Sequence, residues 1–199
     1  MKFKSLILPA LAIFVGLVAF DSAAAATYTI DSAHSSVGFQ IKHMAIAKVN
    51  GSFTDFGGTF EYEKGKAETW SVEASIQMAS VDTGNDDRDV HLRSPDFFDA
   101  ETYSVMTFTS TNVKMESDTE GKLLGILTLH GVSKSVELDL EFNGAVTDPW
   151  GNDKVGFSAY GVINRKDWGL NFSKTLDNGG LILGENVKIS LEIEAAKNK

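Results

Sequence analysis

The sequence predicts an all-β protein, an eight-stranded antiparallel barrel with a short helix near one mouth. Three observations point there. Apolar and polar residues alternate with period two through most of the chain, turn-forming residues punctuate the alternation, and a single segment has helical character instead.

The alternation defines the strands. Val37, Phe39, Ile41 and His43 fall on one face, with Ser36, Gly38, Gln40 and Lys42 on the other. Trp70, Val72, Ala74, Ile76 and Met78 alternate with Ser71, Glu73, Ser75 and Gln77. Val136, Leu138, Leu140 and Phe142 form a third dry face, and Val187, Ile189, Leu191, Ile193 and Ala195 a fourth. Thr59 to Tyr62, Val105 to Thr111, Leu123 to Leu129 and Val155 to Ile163 read as strands from their Val, Ile, Phe and Thr content. Turns are expected at Gly57-Gly58, Glu63-Lys64-Gly65, Asp118 to Gly121, Asp148 to Gly151 and Asp177 to Gly180. A meander of this kind must protect its edges, and closure into a barrel does so.

The helical segment runs from Thr83 to Phe98. It opens with a Thr83-x-x-Asp86 capping arrangement and places Asp86, Asp87 and Asp89 where they complement a helix N-terminus. Pro95 stops it, and the apolar pair Phe97-Phe98 follows.

Residues 1–26 read as a cleaved secretory signal, leaving one barrel domain over residues 27–199. Lys2 and Lys4 precede an apolar stretch from Leu6 to Phe20, and Ala24-Ala25-Ala26 gives the small-residue cleavage pattern. The apolar stretch is short for a membrane span, which needs about 20 residues. Export places the mature chain in the periplasm. The sequence contains no Cys, which excludes disulfides, thiol catalysis, Cys-based metal sites and a lipidated N-terminal Cys. A net charge of −9 argues against nucleic acid as a partner.

On the inward face, Val37, Phe39, Ile41, Val72, Ala74, Ile76, Phe108, Phe157 and Ala159 would line either a filled core or an apolar lumen. Periodicity fits both. His43 shares the dry face near a strand end, while Arg88 and His91 lie on the helix. Its four His residues have no metal-ligand spacing, and the sequence carries no nucleophile elbow, P-loop or dinucleotide fingerprint. No catalytic residue, metal or cofactor is expected, and the protein reads as a non-enzyme.

The motifs resemble those of the YceI-like family. They begin with Tyr28 to Phe39 (YTIDSAHSSVGF), His43, Gly51-Ser52-Phe53 and Phe56. Ser80 to Thr83 follows with Asp86, Asp87 and Asp89, then His91-Leu92 with Ser94, Asp96, Phe97, Phe98 and Asp99. Phe108-Thr109-Ser110, Leu127 to Val132, Gly156 to Ala159 and Arg165 with Asp167, Trp168 and Gly169 complete the series. The family pattern prefers Phe where Trp168 stands. The resemblance implies a lipocalin-like barrel enclosing an isoprenoid (a quinone or polyprenyl phosphate) or a similar amphiphilic lipid. The tail would then lie along the inward residues above, with Phe97 beside it, and the head near His43, Arg88, His91 and Trp168. The alternatives are a lipid-modifying or redox accessory working with an inner-membrane cytochrome, and a ligand-free stress or interaction barrel. Either a monomer or a homodimer fits.

Overall fold

The computed structural model describes residues 25–174 and 181–199. The signal segment through residue 24 and the Asp177 to Gly180 turn lie outside the described residues. In chain order the elements are β1 (Ala26–Ile30), β2 (Ser36–His43), β3 (Ala47–Phe53), β4 (Phe56–Tyr62), β5 (Ser71–Gln77) and β6 (Val81–Asp82). Then come α1 (Asp86–Arg93), β7 (Val105–Met115), β8 (Glu120–Leu129), β9 (Val132–Thr147), β10 (Asp153–Asn164) and β11 (Leu183–Lys197).

Every strand pairing is antiparallel, and the sheet closes through β1, β4, β5, β7, β8, β9, β10 and β11 back to β1. The strands β1 and β2 are two halves of one interrupted barrel strand, because both pair with β11 along the same edge. β3 and β4 are likewise two halves of the next, facing β2 and β1 respectively. The interrupted ladders stay satisfied. Ser35 Oγ donates to Glu194 O at 3.2 Å and accepts from Glu194 N at 2.9 Å, so a hydroxyl stands in for a missing backbone partner. Asp31 N also donates to Glu194 O. At the second break, Thr54 N donates to Ser80 O and Asp55 O accepts from Gln77 N.

Among the described residues the barrel and the α-helix agree with the sequence reading, but several local expectations differ. Gly57-Gly58 is not a turn: both residues lie within β4, opposite Ser75 and Ala74. A Cβ on Gly58 would stand 2.2 Å from Glu73 O, so glycine serves close strand approach there. Strands β1 and β3 escaped the periodicity because Ala26–Ile30 is short and Ala47–Phe53 is mostly polar. The helix cap is Asn85, whose side chain accepts from Arg88 N at 2.9 Å, rather than Thr83. Thr83 instead donates through Oγ1 and its backbone N to the buried Asp89 carboxylate, at 2.5 and 3.0 Å. The helix ends at Arg93, capped by Ser94, before Pro95 is reached. In the β8–β9 hairpin, His130 and Gly131 both have positive φ, 51° and 73°, as a tight primed turn requires.

Far from α1, aromatic rings fill the barrel. Phe60, Tyr62, Trp70, Phe142 and Phe157 stack and tilt against one another, with Phe60 and Phe157 centroids 4.4 Å apart. Trp70 Nε1 donates to Glu63 O at 2.8 Å, so the indole is buried without an orphaned donor. Tyr28 packs edge-on to Tyr62 at 5.8 Å, and burial raises the phenol pKa of both.

Removing Trp70 from this plug (Trp70→Ala) should destabilise the fold by about 3–5 kcal/mol in chemical denaturation. The tyrosines give a second expectation. Their folded pKa values lie above the ordinary value of about 10, so the unfolded chain loses those protons first and stability falls as pH rises through that range. Denaturation midpoints measured from pH 8 to 11 should therefore fall more steeply in the wild type than in a Tyr28→Phe/Tyr62→Phe double variant.

Candidate functional site: an apolar cavity with one polar end

Between the aromatic plug and α1 the barrel is hollow. The cavity has a volume of about 440 Å³, within the range of small-molecule sites, and its wall is almost entirely apolar. Side chains from both halves of the interrupted strands and from β5, β7, β8, β9, β10 and β11 contribute to it. It reaches the surface at the α1 end, where His43 and Arg88 are half-buried and His91 is exposed.

Glycines set the width. Phe39 lies across from Gly51 on β3, and a Cβ at Gly51 would meet its ring at 2.3 Å. Phe108 lies over Gly125 in the same way, again at 2.3 Å from a Cβ. In both places the ring lies down on bare backbone, which keeps its bulk against the wall.

Polar side chains reach the cavity at few points. His43, Thr83, Arg88, His91 and Arg165 gather at the α1 end. Arg88 is held in place, with Nε donating to Thr83 Oγ1 at 2.7 Å and Nη2 to Thr83 O at 2.8 Å. Thr83 thus links Arg88 to Asp89 and fastens α1 over the opening. His91 Nε2 lies 3.0 Å from Asp96 Oδ2, with its ring edge-on to Phe97 and Phe172, each centroid 5.0 Å away. Arg165 is buried, and desolvation pushes its guanidinium pKa below the ordinary arginine value.

Thirteen of the residues named from sequence lie on this wall: Val37, Phe39, Ile41, His43, Val72, Ala74, Ile76, Arg88, His91, Phe97, Phe108, Phe157 and Ala159. Trp168 does not. It is 2% exposed, packed in the core beside Leu127 and Leu170, and its Nε1 donates to Leu127 O at 3.2 Å. With its one donor used internally, it has nothing to offer a headgroup. Trp168 instead presents its carbonyl to His130 Nδ1 at 3.2 Å, bracing the β8–β9 turn. Sequence reasoning passed over Leu127, Leu138, Leu140 and the β11 face from Val187 to Ile193 as wall residues, although their alternation was visible. It also missed Arg165, Leu170 and Phe172, which come from irregular backbone after β10 and carry no periodic signal.

On the outer surface, Asp31, His34 and Glu194 bring ligand-type atoms together. Lys154 Nζ already sits on this group, 3.3 Å from Asp31 and 2.5 Å from Glu194, and His34 Nδ1 lies 3.0 Å from Asp31. The hydrogen bond with His34, ahead of that from Lys154, holds the Asp31 carboxyl below its usual pKa. This is a hydrogen-bonded surface cluster at the junction of β1 and β2, already occupied by the Lys154 ammonium.

A closed antiparallel barrel with an apolar, single-ended interior defines the class: a β-barrel of the lipocalin-like kind. The chain belongs to the YceI-like domain family, whose model matches residues 28–195. A UPF0312 protein of Staphylococcus aureus is 39% identical over 168 residues, covering 84% of this chain and 95% of its own. The YceI protein of Campylobacter jejuni superposes with a TM-score of 0.70 at 36% identity, covering 85% of this chain and 96% of that one. BcnA of Burkholderia cenocepacia shares the fold with a TM-score of 0.73 at 22% identity, over 83% and 98% of the two chains. A polyisoprenoid binding domain from Saccharophagus degradans, implicated in plant cell wall breakdown, shares it at 0.62 and 18% identity, over 86% and 98%.

Replacing Gly51 by Ala should lift the Phe39 ring into the lumen. We expect capture of a long-chain lipid probe to weaken at least about tenfold, corresponding to loss of roughly two methylene contacts. Fluorescence titration with a lipid probe, read beside far-UV circular dichroism, checks this.

Proposed function

We propose that this protein is a periplasmic carrier that holds one long-chain isoprenoid, or a similar amphiphile, with its tail in the barrel. The observation that carries the reading is the cavity itself: apolar along its length, plugged by aromatics at one end and furnished with polar side chains at the other. That polarity matches an amphiphile laid lengthwise, tail toward the plug and head toward α1. Each methylene removed from water contributes about 0.8 kcal/mol, so a long tail needs few polar contacts to be retained. Family membership supports the reading, as does the polyisoprenoid binding named for the Saccharophagus domain of the same fold. Residues 1–26 supply the export signal that would bring the barrel to the periplasm, where a hydrocarbon needs cover from water. Binding and release need no catalytic group, and the role proposed is non-enzymatic.

The test is a detergent-free preparation from the native periplasm, followed by native mass spectrometry and organic extraction. A stoichiometric mass excess that extracts as an isoprenoid is the expected result. A bare polypeptide mass, together with failure to take up added quinones and prenyl phosphates, would refute the proposal. Ala74 lines the wall between Gly58 and Phe108 on its neighbouring strands, so Ala74→Trp should fill the lumen and abolish uptake while the barrel still folds.

A further inference from the structure

Arg165 is the wall residue whose hydrogen-bonding capacity the fold leaves incompletely used. It opens the Arg165–Trp168 turn after β10 and is 3% exposed. Nε donates to Gly184 O at 2.9 Å and Nη1 donates to Leu170 O, which ties the end of β10 to the start of β11. Nη2 is buried and has no partner among the described residues. Glu185 attracts Arg165 electrostatically but makes no hydrogen bond to it, its carboxylate being engaged by Lys166 at 2.5 Å. The two mouth arginines differ in burial: each has two of its nitrogens engaged, but Arg88 is half-buried, whereas the remaining nitrogen of Arg165 and its positive charge are shut away beside an apolar space. Guanidinium stays protonated in proteins, and a buried charge calls for a counter-charge or acceptor.

We propose that Arg165 is the headgroup anchor of this barrel, its Nη2 donating to a phosphate-type anionic oxygen at the α1 end of the cavity. The inference rests on the lipid-holding reading above and narrows it, selecting an anionic head over a neutral one. It also fixes the head beneath the opening rather than out in solvent. The oxygen is presented by the head of a prenyl phosphate, and free phosphate shares the same chemistry.

The experiment titrates three probes separately into the mature protein at constant ionic strength: geranylgeranyl phosphate, geranylgeraniol and inorganic phosphate. Calorimetry reads binding to the wild type, Arg165→Gln and Arg165→Lys. A hydrogen bond to a charged group should make the phosphate bind the wild type about 10- to 100-fold tighter than the alcohol. Arg165→Gln should erase that preference, so that phosphate and alcohol bind the variant alike, with Arg165→Lys keeping part of it. Equal affinities in the wild type, or a preference that survives in Arg165→Gln, would overturn the anchor. Inorganic phosphate binding as tightly as the prenyl phosphate would overturn a lipid headgroup in favour of a free-anion site. If neither prenyl compound binds the wild type, the lipid-holding reading itself falls. Should Arg165→Gln fail to fold, guanidinium ¹⁵N signals of the wild type decide: a shift of Arg165 with the phosphate but not the alcohol supports the anchor, and no difference overturns it.

Discussion

Closure by β11 is the constraint on which the rest of the structure depends. A sheet with free edges invites pairing with other chains, and closing it removes that hazard. Here β11 pairs with β10 on one side, and on the other with β2 along its first part and β1 along its last. The first barrel strand can therefore be broken at residues 31–35 without opening the wall, because Ser35 and Asp31 keep Glu194 hydrogen-bonded across the gap. The break has a structural consequence. It lets β2 and β3 run as a hairpin that pairs with β6 and leads toward the helix, while β1 and β4 stay with the aromatic plug.

An eight-stranded barrel lies at the boundary between solid and hollow, and side-chain choice decides which it becomes. This chain divides the question by height. Toward the plug, large rings interlock until the interior is full. Toward α1, Ala74 keeps the wall thin, and Gly51 and Gly125 let Phe39 and Phe108 lie flat. Without a disulfide, the plug and the closed ladder must carry stability, which frees the other half to remain unfilled.

The architecture was legible because its signal is redundant. Alternation on β5, β9 and β11 reports strand, inner face and register together, and one misread segment does not disturb the others. Gly57-Gly58 was misread because a glycine pair looks the same whether it makes a turn or admits a close neighbouring strand; only the contact with Glu73 distinguishes them. The wall residues were readable from the same alternation. The polar end was less so, since Trp168 and Arg165 stand three residues apart in one turn and meet opposite fates. Periodicity says nothing of direction once the strand has ended. Trp168 turns into the core and spends its donor on Leu127, while Arg165 reaches the cavity with one still unused.

That contrast also explains how the mouth can be both fastened and receptive. Asp89 is buried on the inner side of α1, and a buried carboxylate is tolerated only when its oxygens are hydrogen-bonded. Thr83 supplies two such bonds, both to Asp89 Oδ1, and turns its hydroxyl and carbonyl to Arg88, so the helix is fastened by a chain that runs from Asp89 through Thr83 to Arg88. Two of the three Arg88 nitrogens are turned to Thr83, so α1 offers a ligand little through them. On the anchor proposal, receptivity comes from across the opening, on the side built from the end of β10 and the start of β11, where backbone carbonyls of Leu170 and Gly184 fix the Arg165 guanidinium. A guanidinium hydrogen-bonded by neutral acceptors, with the nearby Glu185 hydrogen-bonded to Lys166, is the electrostatic condition that the proposed anchor requires in a space that otherwise excludes water.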